Sequence, residues 1–268
     1  GSRVSRRQSE SQGNGVVVSV LSVGHGSCVV LELPGGQTVL YDAGGMGDPR
    51  SISRTISGFL WFRGICQIDA LLISHADADH FNAVPELLER FRVRVVGVNS
   101  RQFDDPNVTL SGLRESLQTN ATDVRVLAGG DRLRADPELI LEVLHPPLSA
   151  EQQGDNANSL VLSVEYQGRR ILLTGDLEPP GLEDLLAELP RDCDVLIAPH
   201  HGSLRSQPER LLAWCLPEWV LISGSRGDVT PAVEDAYRRE GARVLDTAHR
   251  GAIRVQVQAG QVHVAAWR

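Results

Sequence analysis

Four metal-capable side chains, His75, Asp77, Asp79 and His80, fall within six positions directly after the apolar run of residues 70–73. An uninterrupted apolar run suits a strand covered on both faces, and ligands at its carboxyl end stand on a rigid support while facing solvent. A His-x-Asp pair points two side chains at one centre. The adjoining Asp79 and His80 can hold a second ion about 3.5–4 Å away, the spacing used for in-line displacement at phosphorus. The competing reading is a polar helix cap with solvated acids. Four such residues behind a buried strand favour the metal reading.

Other strand ends offer matching groups. Residues 169–174 read as a strand that delivers Thr174-Gly175-Asp176. A carboxylate on that rim could bridge two cations, although Asp after Gly is also a common turn residue. The buried strand 193–198 runs into Pro199-His200-His201-Gly202-Ser203. Imidazole there can hold a non-bridging oxygen or protonate a leaving one, and the alternative is a solvated loop. Either His200 or His201 can fill that role.

The pattern His75-x-Asp77-x-Asp79-His80 resembles the metal-binding signature of the metallo-β-lactamase superfamily, whose usual form has His at the position of Asp77. The carboxylate in that slot is similar to the lactamase-like domain of ComEC-type DNA-uptake proteins, and the likeness runs from about Val16 to Arg268. Leu172-Leu173-Thr174-Gly175-Asp176 resembles the superfamily's bridging aspartate, and His200-His201-Gly202-Ser203 resembles the His-His-Gly-Ser of the ComEC group. The resemblance implies an α/β fold, a four-layer αββα sandwich with mixed sheets. It also implies that Asp42 supports the metal loop from behind. Where the superfamily usually supplies another His, Asp155-Asn156-Ala157-Asn158-Ser159 implies oxygen ligands, Asp155 first and Asn158 second, against an Asx-turn.

Two loops depart from the pattern. His25 replaces a Gln and Ser27 an Asp, and His25 is expected to hydrogen-bond within its loop. Asp228 and Thr230 stand where the family usually carries two His. By resemblance one ion would take His75, Asp77, Asp155 and a bridging Asp176, the other Asp79, His80, Asp176 and Asp228, with His249 as a fallback ligand. So oxygen-rich a donor set favours two Mn²⁺ ions, with Zn²⁺ as the alternative. Asp79, His200 and His201 carry the catalytic expectation, with Ser203 nearby.

The rest of the chain must position these tips. Strands are expected at 16–23, 28–33, 37–41, 93–98, 123–127, 139–144, 159–166, 219–223, 242–245, 253–257 and 261–265, with helices at 49–63, 82–91, 110–117, 179–189, 209–215 and 232–240. Strand and helix alternate as in βαβ units, which implies parallel or mixed sheets with helices outside. His145 precedes two prolines and reads as structural. The 268 residues, 41% apolar, suit one large domain over 16–268 behind a flexible lead-in at 1–15. Gly1-Ser2 without an initiating Met reads as a cloning remnant of a domain taken from a longer, membrane-bound protein.

A formal charge of −8 argues against gripping nucleic acid by bulk electrostatics. Any such contact must be local, as at Arg205 and Arg226. No stretch reaches the roughly 18 apolar residues of a membrane helix. The four cysteines are scattered and read as free thiols, three of them in apolar runs. The expected function is a metal-dependent phosphodiesterase that degrades single-stranded DNA during uptake, by two-metal activation of water. By resemblance it works beside a membrane channel domain on the extracytoplasmic side of a bacterial inner membrane. The alternatives are a metallo-hydrolase of a small ester, lactam or nucleotide, and a catalytically decayed interaction module.

Overall fold

The computed structural model describes residues 15–102, 108–136, 138–148 and 154–267. In chain order the first half forms β1 (Gly15–Val20), β2 (Val29–Glu32), β3 (Thr38–Tyr41), α1 (Pro49–Phe62), β4 (Gln67–Ile68), β5 (Ala70–Leu72), α2 (Ala78–Phe81), α3 (Val84–Leu88), β6 (Arg92–Val93), β7 (Val95–Asn99), α4 (Val108–Thr119) and β8 (Asp123–Leu127). The second half forms β9 (Arg132–Asp136), β10 (Leu139–His145), β11 (Val161–Tyr166), β12 (Arg169–Leu173), α5 (Gly181–Ala187), β13 (Val195–Ile197), α6 (Pro208–Cys215), β14 (Trp219–Ile222), α7 (Pro231–Arg238), β15 (Arg243–Asp246), α8 (Thr247–Arg250), β16 (Ile253–Gln258) and β17 (Gln261–Ala266). Of the expected lead-in, residues 1–14 lie outside the described residues, as do 149–153 of the loop before β11.

Strands β4 and β6 pair as a small third sheet, and of the two large sheets one has the order β17-β16-β1-β2-β3-β5-β7-β8 and the other β15-β14-β13-β12-β11-β10-β9. Both are mixed: β3, β5, β7 and β8 run parallel, as do β12 to β15, while their neighbours pair antiparallel. The central strands are apolar on both faces because both are covered. In β2, Val29 and Leu31 meet the facing sheet, while Val30 packs under the helices. In β12, Ile171 and Leu173 point inward and Leu172 outward. Three apolar seams result, one between the sheets, one beneath α1, α3 and α4, and one beneath α5, α6 and α7. That is the αββα sandwich. Each fully buried Val or Leu there contributes about 1.5–3 kcal/mol.

Helix α1 shows how local sequence sets these layers. The Asp48 carboxylate accepts from Arg50 N and Ser51 N, Pro49 opens the first turn, and Ile52, Ile56 and Leu60 form the buried stripe. One expected helix, 82–91, differs. It is observed as α3, with α2 a separate turn before it, and Asn82 between the two clamps Gly45 in both directions, at 3.2 and 2.7 Å. Asp79 and His80 therefore lie in the first turn of α2, not in an open loop. Strand β9 was not among the expected strands. Both parallel ladders end at one rim, the side where α/β sheets present their reactive groups.

Candidate metal centre

Strand β3 ends at Asp42, which is fully buried and held at φ 59°. Non-glycine residues avoid that region, so the surroundings must impose it. Its carboxylate accepts from Ser74 N at 2.7 Å and Ser74 Oγ at 2.9 Å, and His80 Nδ1 donates to Oδ2 at 2.8 Å. Ser74 Oγ also meets His75 Nδ1 at 2.9 Å. With its own proton given to Asp42, the hydroxyl accepts from His75 Nδ1. One carboxylate thus pins both imidazoles through Nδ1 and leaves each Nε2 aimed at the rim.

Those two Nε2 atoms are buried and have no hydrogen-bond partner. His80 Nε2 lies 3.1 Å from Asp176 Oδ1, close enough for an ion pair but not aligned for a hydrogen bond. His75 Nε2 lies 3.4 Å from Asp77 Oδ2. Asp77 occupies the position before α2 yet makes no capping bond with its side chain, contrary to the helix-cap reading. His75, His80 and Asp176 bring ligand atoms within 4.8 Å of one another. An orphaned buried polar atom costs about 1–3 kcal/mol, and a divalent cation between these groups would remove that cost. The donor set fits such an ion.

A second set adjoins it. After β13 the backbone turns through His200, His201 and Gly202 at φ 46°, 53° and 86°. Consecutive left-handed residues are strained, and here the strain aims two imidazoles in different directions. His201 is buried, its Nδ1 donates to Ser223 O at 2.9 Å, and its Nε2 lies 3.3 Å from Asp79 Oδ2 and 3.7 Å from Asp176 Oδ2. His25, Asp79 and His201 form a second group within 4.8 Å. Half-buried His200 pairs through Nδ1 with Glu178 and keeps Nε2 3.8 Å from Asp176 Oδ2.

Charge follows this geometry. Burial works against ionised Asp176, but His80, His75 and His201 outweigh it and hold the carboxyl well below the usual range. Asp79 is treated alike: burial opposes its charge, yet the His201 hydrogen bond and the nearby His80 bring it down to about 2. Burial would discharge His80, but Asp176 and Asp42 raise it well above the ordinary imidazole value. His201 is raised too, against burial, by Asp79 and Asp176.

The expected residues divide accordingly. His75, His80 and Asp176 converge, Asp79 and His201 sit beside them, and Asp42 stands behind. His25, expected to serve its loop, instead faces Asp79. Among the described residues, Asp77, Asp155 and Asp228 fall in neither group. Asp155 opens the short turn Asn156–Asn158, and Asp228 is engaged by His25 and Ser225. Asn158 uses its amide to hold Gly154 O, and Ser203 caps the turn at Leu204–Ser206. His249 groups with Glu234 and Asp246, outside both rim sets. His145 is buried with Nδ1 on Ser159 O, consistent with a structural role. Sequence reasoning missed Ser74, Glu178 and Gln102, which donates to His75 O at 3.0 Å. Only Ser74 carried a signal, as a polar residue closing an apolar strand.

The Metallo-beta-lactamase superfamily matches residues 21–214, and the chain belongs to that superfamily. It is 28% identical over 252 residues to ComE operon protein 3 of Bacillus subtilis (strain 168), covering 89% of this chain and 31% of that protein. Recombination protein 2 of Haemophilus influenzae is 28% identical over 89% of this chain and 28% of its own length. Competence protein ComA of Neisseria gonorrhoeae is 26% identical over 97% and 35%. The chain therefore spans about a third of the length of these relatives. Among solved structures, Zn²⁺-bound PqqB from Methylobacterium extorquens aligns at TM-score 0.57 and 14% identity, covering 90% of this chain and 99% of that one. A diphosphatase of the PhnP family aligns at 0.53 and 14%, covering 90% and 98%. Both show the fold alone. No helix among the described residues is long and apolar enough to cross a membrane.

Proposed function

We propose that this chain is a two-cation phosphodiesterase that degrades single-stranded DNA in the course of DNA uptake. The observation that carries the metal reading is the convergence of two buried Nε2 atoms, on His75 and His80, that make no hydrogen bond and face the Asp176 carboxylate. The DNA reading is supported by the relatives' names, two of them competence or recombination proteins. It extends to a working place beside a membrane channel, on the extracytoplasmic side.

Two divalent cations, when bound, supply water activation and neutralise charge on phosphoryl oxygens. Asp176 is suited to bridging, since Oδ1 faces His80 and Oδ2 faces His201. His75, His80 and Asp176 would hold one ion, with Asp77, whose Oδ2 lies 3.4 Å from His75 Nε2, and Asp155 as its further proposed ligands. Asp79 and His201 would hold the other. This separates the two adjacent histidines: His201 ligates, and His200, fixed through Nδ1 by Glu178, hands a proton to the leaving oxygen. Exposed Arg205 and Arg226 steer the strand. Two imidazoles in each rim set suit Zn²⁺ as well as Mn²⁺, so the nitrogen-poor donor set expected from sequence no longer decides the metal.

The test is incubation of the chain, with Mn²⁺ or Zn²⁺ added, with labelled single-stranded DNA, bis-p-nitrophenyl phosphate and nitrocefin. Asp79→Ala is the control. Metal-dependent loss of DNA and of the phosphodiester is expected. Turnover of nitrocefin alone would end the nuclease reading.

A further inference from the structure

The loop between β1 and β2 is locked onto the rim. A Cβ at Gly26, whose φ is 143°, would lie 2.4 Å from Gly45 Cα and 2.7 Å from Asp79 O. Ser27 N donates to Asp79 O at 3.2 Å, Met46 N to His25 O at 2.6 Å, and Ser223 Oγ to Gly26 O at 2.9 Å. The backbone that carries His25 is thus tied to three separate elements of the centre. Its ring lies 4.3 Å from that of His201, and its Nε2 lies 3.5 Å from Asp79 Oδ2.

Asp228 completes the pattern. Its Oδ1 lies 2.9 Å from His25 Nδ1, while Oδ2 accepts from Ser225 N and Ser225 Oγ, each at 2.7 Å. Turning toward an ion would break all three contacts. The arrangement repeats that of Asp42 and His80: a carboxylate clamped from behind takes Nδ1, and Nε2 is presented to the rim. Positions 25 and 228 both depart from the sequence pattern the chain resembles, and here they touch each other.

We infer that His25 is a direct ligand of the second cation, and that Asp228, rather than binding metal, is the positioning residue that orients it. The inference rests on the two-cation reading of the same centre. The second ion then has two imidazoles and Asp79 besides the bridging Asp176. His25 is 37% exposed whereas His75 and His80 are sealed in, so the second ion exchanges more freely than the first.

Metal-depleted chain is titrated with Mn²⁺ alone, free ion being read by electron paramagnetic resonance. Two sites of unequal affinity are expected. His25→Ala removes the weaker and keeps the tighter, and His25→Gln, which preserves size, does the same. Asp228→Asn weakens the second site about 10–100-fold, and adding Asp228→Asn to His25→Ala has no further effect. If both His25 variants still bind two ions at unchanged affinity, the inference fails while the two-cation reading stands. If Asp228→Asn weakens binding equally with and without His25, Asp228 is itself a ligand and the inference also fails. Absence of any bound ion in the unaltered chain would overturn the broader reading together with this one.

Discussion

Asp42 Oδ2 stands 2.8 Å from His80 Nδ1 and 2.9 Å from the Ser74 hydroxyl that holds His75. A single buried carboxylate therefore sets the orientation of both histidines that face Asp176. Asn at position 42 keeps the size but removes the charge and half the acceptors. Asp42→Asn is expected to weaken the tighter ion by about 10–100-fold, as loss of an outer partner usually does. Calorimetric titration of metal-depleted chain checks it; unchanged affinity would mean the histidines are oriented without Asp42.

Much of this rim was legible because the chain places chemistry where apolar runs stop. His75, Asp176 and His201 each follow a strand buried on both faces, and that signal needs no knowledge of the partner strand. Asp228 shows the limit. Residue type and loop position resemble those of a ligand, but whether a carboxylate meets an ion depends on what else claims its oxygens. For Asp228 the claimants, His25 and Ser225, lie 203 and 3 positions away by residue number. Sequence reasoning could see the near one and not the far one. The break between α2 and α3 was hidden likewise, since the Asn82 clamp onto Gly45 joins residues 37 positions apart.

The metal-free chain should have a narrow pH range of stability. Asp79, held down to about 2, and Asp176, lower still in direction, are depressed carboxyls. Their stabilisation is present above the unfolded value of ~3.9 and is lost as pH falls through the folded values. His80 has the opposite sign: its raised value gives stabilisation that is complete below ~6.5 and fades as pH rises through the folded value. Melting temperatures of chelator-treated chain should fall between about pH 4 and pH 2 and decline again on the alkaline side. Asp79→Asn should flatten the acid limb; an unaltered acid limb would contradict the assignment.

Gly44 is a packing test of the same loop. A Cβ there would lie 2.5 Å from Asp79 C and 2.6 Å from His80 N, all backbone atoms that cannot swing aside. Gly44→Ala should cost about 1–3 kcal/mol by overpacking and should also lower metal affinity, because the displaced peptide carries Asp79. Gly58, within α1, has nothing within 4 Å of its Cβ position, and Gly58→Ala should stabilise by about 0.5–1 kcal/mol. Urea unfolding of both variants checks the contrast. Equal effects would show that the Gly44 contact is not tight.

His200 and His201 are adjacent in sequence but are expected to fail in different ways. His201 is buried on Asp79 and Asp176, so His201→Ala should lose an ion along with activity. His200 is half-buried, is backed by Glu178, and only grazes Asp176 at 3.8 Å. His200→Ala should retain both ions and lower kcat on single-stranded DNA by about 10²–10⁴-fold, the usual share of a general acid. Glu178→Gln should lower it less, since the neutral amide oxygen can still accept from Nδ1 and orient the ring. A substrate whose leaving group needs no proton, such as bis-p-nitrophenyl phosphate, separates the roles: His200→Ala should spare it and His201→Ala should not. If His200→Ala slows both substrates equally, its part is structural and proton transfer lies elsewhere.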